Sequence, residues 1–148
     1  MDRFFRGFIA GVVGGLIMNA WSLFSFHILH FTDRRYLDWA SAVLYGHLPS
    51  STFEAVYALI IQILWVGLLG ILFAFLVPTI TSRGYLLKGL IYGLSIGFLI
   101  YAIPTLLQMP ELAETPVKTT VSDHIGGFIW GLTMAYTLHR MDTTPLRG

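Results

Sequence analysis

Few side chains in this sequence can do chemistry, and they stand out against an apolar background. Asp123 and His124 are adjacent, His27 and His30 lie three apart, and Glu54, Gln62 and Asn19 are isolated polar residues near or inside apolar runs. A neighbouring carboxyl and imidazole can exchange protons or hold a cation. Ionisable groups within a membrane span face the bundle interior or a wet cavity, because lipid does not solvate them. His124, Asp123, Glu54 and Gln62 are therefore the expected lining of an outward-facing polar vestibule. Asn19 and Gln62 each fall about 18 Å from the same membrane boundary by helical rise. An amide pair bridging two helices is the simple account, and a polar constriction in a solute path is the functional one.

Two cofactor chemistries compete with that reading. His27 or His30 on one helix and His124 on a facing one supply the paired imidazoles that ligate haem iron. Alternatively, His27, His30 and His124 are candidate ligands of a divalent metal. For His27, His30 and His47 the plainer role is an interfacial group in contact with water. The sequence has no cysteine, and no nucleophile turn, metalloprotease helix or phosphate loop, so an enzyme is the least supported class.

These residues need helices to position them. Of 148 residues, 55% are hydrophobic and 11% charged, against roughly 25% charged in a soluble domain. Runs of about 20 apolar residues cross a hydrocarbon core about 30 Å thick. Helices are expected at about 4–31, 51–80, 85–108 and 116–139, the last with an uncharged core only from Ile125 to Leu138, and a short interfacial helix at about 35–46. The expected fold is all-α, an integral membrane four-helix bundle in one transmembrane domain. Ser51-x-x-Glu54 marks a helix start, and Pro104 and Pro110 bend or end the third span.

Basic residues set the orientation. Arg3, Arg6, Arg83, Lys88, Arg140 and Arg147 fall on one side and Arg34, Arg35 and Lys118 on the other, which places both termini in the cytoplasm and the chain in the cytoplasmic membrane. The basic residues are scattered among short connections, so no nucleic-acid surface is indicated.

A glycine ladder occurs twice, as Arg6-Gly7-x-x-x-Gly11-x-x-x-Gly15 and Lys88-Gly89-x-x-x-Gly93-x-x-x-Gly97. Small residues every fourth position let helix backbones approach closely in lipid. The first ladder continues to Asn19-Ala20 and the second to Tyr101-Ala102; Gly70-x-x-x-Ala74 likewise matches Gly131-x-x-x-Ala135. Two tandem copies of one helical hairpin explain this, and recurrence by composition is the alternative. Because the glycines fall towards the cytoplasmic half, the bundle should be tight there and wider outside. Glycine faces left over are expected to mediate homo-oligomerisation, and a structural or assembly subunit docking on another membrane protein is the further alternative.

Gly7-x-x-x-Gly11-x-x-Gly14-Gly15, Leu37-Asp38-Trp39-Ala40 and Gly70-x-x-Phe73-Ala74 resemble the small uncharacterised four-helix membrane proteins of Gram-positive bacteria. The resemblance covers roughly the first half of the chain. It implies location and topology, with no activity and no functional residue.

Overall fold

The computed structural model describes residues 1–80 and 83–143. Arg147, one of the basic residues that set the orientation, lies outside the described residues. Those described form helices and no strand: α1 (Arg3–His27), α2 (Tyr36–Tyr45), α3 (Thr52–Ile80), α4 (Tyr85–Leu99), α5 (Ala102–Leu107), α6 (Pro110–Ala113) and α7 (Val117–Thr143). Arg3–His27, Thr52–Ile80 and Tyr85–Leu107 are long and apolar enough to cross a membrane. Their outward faces carry large apolar groups, among them Leu64, Trp65, Leu72, Ile91 and Phe98, while their inward faces mix glycine, alanine, serine and amides with buried apolar groups such as Met18, Leu69 and Phe73. That inversion suits a lipid solvent.

Local chemistry sets the boundaries. Asp2 caps α1 by accepting the Phe5 N–H at 2.9 Å. Instead of running to residue 31, α1 ends at His27, and the chain turns through His30 at φ 49° as the Phe31 N–H returns to the Ser25 carbonyl. The third span breaks between α4 and α5 because Pro104 has no N–H to give the Ile100 carbonyl. Ile103 donates to Ile100 instead, tightening the turn. Gly84, at φ 69°, supplies the left-handed residue that opens α4.

The main helix contacts are α1 with α3, α4 with α7, and α1 with α7. Although α3 and α4 are consecutive, they meet sparsely. Tyr92 stands between them, donating to the Leu69 carbonyl at 2.9 Å with its ring 5.2 Å from Phe73.

The ladder glycines make the two closest seams. A Cβ on Gly7 would meet the Ala74 Cβ at 2.7 Å and the Gly70 carbonyl at 2.9 Å; one on Gly89 would fall on the Ala135 Cβ and the Gly131 carbonyl. Gly11 opposes the Val66 carbonyl and Gly70, as Gly93 opposes the Gly127 carbonyl and Gly131. The α1–α3 and α4–α7 hairpins thus touch through matching positions. Among the described ladder glycines, Gly97 alone has open space where a side chain would go.

At the end where α1 begins and α7 ends, Asp142 on α7 ties the helices together. It pairs with Arg6 at 2.7 Å, lies 3.7 Å from Arg3 and accepts the Tyr85 hydroxyl at 2.8 Å, while Arg3 also donates to the Ala74 carbonyl of α3 at 2.9 Å.

Candidate functional site

At the opposite end α2 packs against the long helices, with Val43 and Leu44 left exposed. The sequence suggests a helix lying in the interface. In the structure Tyr36, Leu37, Asp38, Trp39, Ser41 and Ala42 are all buried. The helix starts because Asp38 accepts the Arg35 N–H at 2.7 Å and its guanidinium at 2.9 Å, and it stops at Gly46 in the left-handed conformation. Its amphipathic surface then has several elements to bury against. The Tyr36 N–H donates to Ser22 Oγ on α1 at 3.2 Å, and its hydroxyl donates to the Asp123 carbonyl on α7 at 2.6 Å. Gly126 admits that ring, since any Cβ there would fall on the phenol oxygen. Burial, and then the nearby Asp123 and Tyr101, push the Tyr36 phenol well above its ordinary pKa, so it stays a donor.

Trp39 lies in a second small core with Ala42 and Leu112, its ring edge-on to Tyr101 at 5.6 Å. Its indole N–H is buried with no hydrogen-bond partner. Leaving such a donor unpaired costs about 1–3 kcal/mol.

Two polar pairs lie beside α2. Asn19 Nδ2 donates to Gln62 Oε1 at 2.7 Å and to the Gly15 carbonyl at 2.8 Å, so the amide bridge read from the sequence is present between α1 and α3. In the other hairpin, the Tyr101 hydroxyl donates to Asp123 Oδ2 at 2.8 Å. His124 stacks on Tyr101 with centroids 5.9 Å apart and planes at 11°. Its Nδ1 lies 2.7 Å from the Thr120 carbonyl, which can only accept, so Nδ1 carries the proton and Nε2 is left to other partners.

The expected site residues therefore divide. Asn19 joins Gln62, and Asp123 joins Tyr101 beside His124, while Glu54 stays at the start of α3, accepting the Ser50 N–H at 2.8 Å and its hydroxyl at 2.9 Å as a helix cap. Helix α2 lies beside these groups, its Tyr36 bonded to Ser22 Oγ and to the Asp123 carbonyl. His124 borders two open, apolar grooves of about 450 and 540 Å³ between α4 and α7. His27 rests against Phe26, and both it and His30 are exposed. Among the described residues no group of three His, Asp or Glu side chains converges as a metal site would require.

Sequence reasoning missed Ser22, Ser25 and Ser122, and read Tyr36 and Trp39 as aromatics at the headgroup level. Ser25 and Ser122 hydroxyls bond at 2.9 Å across α1 and α7, and the Trp21 N–H donates to the Ser122 carbonyl at 3.1 Å. The available signal was the i, i+3 spacing of Ser22 and Ser25 after Gly15 and Met18, which continues the small face of α1.

Asn19→Leu is expected to destabilise the fold by about 1 kcal/mol, the range of hydrogen bonds between membrane helices. Unfolding in mixed micelles checks this. A loss above that of Gly70→Val, in the same pair of helices, would show that the amide bridge dominates the hairpin.

No family model, no curated protein and no solved structure matches this chain.

Proposed function

We propose that the chain is a four-span protein of the cytoplasmic membrane with both termini inside. In this reading it conducts or transports a small solute or ion along the axis between its two hairpins. Helix α7 serves as the fourth span, its Thr119, Ser122 and Asp123 buried within the chain and its Lys118 exposed. The hairpins are tandem copies related by an axis along the membrane normal, as in transporters built from parallel repeats.

The observation that carries this reading is the seating of α2. Between α1 and α7 the spans approach closely, with Gly14 beneath Trp130. At the matching positions α4 has Tyr92 and Ile96 in place of Ala10 and Gly14, and these larger side chains hold α3 and α4 apart. The resulting room is taken by a short helix on two connections instead of by the spans themselves. Such an element can leave without dismantling the glycine seams. The unpaired Trp39 N–H lowers the cost of leaving, since it gains water on exposure. The ladder glycines that meet within the chain support a path enclosed by one chain.

The test is solute and ion flux into liposomes holding the full chain, with α2 free or locked. The chain has no cysteine of its own, so Ala42→Cys with Leu112→Cys joins α2 to α6 through a short thiol cross-linker. Flux should fall to background when linked and return on cleavage of the linker. Equal flux in the linked and free forms, or none in either across pH, overturns the proposal.

A further inference from the structure

The correspondence between the hairpins extends from the glycines to the polar pairs. Counting along the two ladders, Asn19 matches Tyr101; counting from Gly70 and Gly131, Gln62 matches Asp123. Each matched pair bonds internally, at 2.7 Å in one hairpin and 2.8 Å in the other. The α3 and α7 faces agree as well, since Ala58, Gln62, Val66, Leu69 and Phe73 are buried and so are Thr119, Asp123, Gly127, Trp130 and Met134.

The first hairpin therefore shows what helix bridging alone requires at this position, which is a neutral amide. The second carries a carboxyl, whose charged form is costly within a span. Packing gives no reason for the exchange. Asp123 is 4% exposed, and none of the ion pairs among the described residues involves it. The titratable groups around it are Tyr101 from the turn between α4 and α5, Tyr36 from α2 and His124 on its own helix. Helix α1 presents the uncharged Ser22 and Ser25 nearby.

We propose that Asp123 is a proton-binding site, with Tyr101 as the partner of its carboxyl group and α2 as the cover that controls its exchange with external water. This deepens the reading of α2 as a movable plug and rests on it. When α2 leaves, hydronium gives its proton to the carboxylate, forming one O–H bond and releasing water; release is the reverse, and no electrons change hands. When α2 is seated, the Tyr36 ring and its bond to the Asp123 carbonyl exclude water.

Infrared difference spectroscopy on the full chain in liposomes, with the external pH stepped, tests this. A carboxylic C=O stretching band should change with pH in the wild type and be absent in Asp123→Gln. That variant is expected to fold, because glutamine already occupies the matching position in the first hairpin. Tyr101→Phe should keep the band and raise its frequency, since the phenol no longer bonds the carboxyl. Linking α2 through Ala42→Cys and Leu112→Cys should slow the change severalfold. A band that survives in Asp123→Gln, no pH-dependent band in the wild type, or a rate indifferent to the linker overturns the site. Flux without such a band removes the proton site and leaves the permeation reading. A gated band without flux supports the proton site and removes permeation.

Discussion

Replacing Gly131 by valine is expected to separate α4 from α7 and to destabilise the folded chain by about 3 kcal/mol, the upper range for overpacking a filled interior. A Cβ at Gly131 would fall on the Gly89 carbonyl oxygen, with the Gly89 carbonyl carbon at 2.9 Å and the Gly93 Cα at 3.1 Å. All three are backbone atoms, so no side chain can turn aside to make room, and the helices must part. Gly70→Val should act alike in the other hairpin, since its Cβ would face the Gly7 carbonyl and approach the Gly11 Cα to 2.7 Å. Gly97→Ala is the internal control. It lies on the same ladder one turn beyond Gly93 but meets nothing within 4 Å. Alanine there should be harmless or stabilising by up to about 1 kcal/mol, through helix propensity. Unfolding of the three variants in mixed micelles measures the contrast. Equal stability of Gly131→Val and wild type would mean that the seam is not a close contact in lipid.

The second large effect is expected at Tyr36, where alanine should unseat α2 while leaving the spans assembled. The substitution removes a buried aromatic ring, at about 3–5 kcal/mol for a change of that size, together with the 2.6 Å bond to the Asp123 carbonyl. The loss falls on a ten-residue helix whose remaining hold is Trp39, Ala42 and their neighbours, so it exceeds what α2 can absorb. The glycine seams lie towards the other end and do not involve Tyr36. A cysteine at Met18, in the same buried cluster as Tyr36, reports the opening. Met18→Cys should resist a water-soluble maleimide by itself and react readily when combined with Tyr36→Ala. Tyr36→Phe keeps the ring and should lose only about 1 kcal/mol, the net worth of one hydrogen bond. Protection of Met18→Cys in the Tyr36→Ala background would show that α2 is held by something other than this residue.

The parts of the fold legible in the sequence were those set by near-neighbour chemistry. Glycine every fourth residue implied seams because nothing else lets two backbones meet in lipid, and Gly7, Gly11, Gly89 and Gly93 lie in them. The isolated amides Asn19 and Gln62 implied each other, since an unpaired amide among apolar groups is costly and their depths agreed. The start of α3 followed from Glu54 with its serines.

The place of α2 was not legible in the same way. Tyr36, Leu37, Trp39 and Ala42 fit either the headgroup level or a buried seat, because both environments accept an aromatic and aliphatic face. The difference lay in residues far away in sequence: Gly126, which leaves space for the Tyr36 ring; Ser22 and the Asp123 carbonyl, which satisfy its polar atoms; and Tyr92, which holds α3 from α4.

Sequence alone thus determined the lipid-suited composition, the helical segments and which of their faces are small, because these depend on each residue's own solvation and on helical periodicity. Tertiary structure decided that α2 packs against the long helices, and that Asp123 meets Tyr101 and Tyr36 and not Glu54. Those outcomes depend on which distant surfaces complement one another in three dimensions, and no local spacing encodes that.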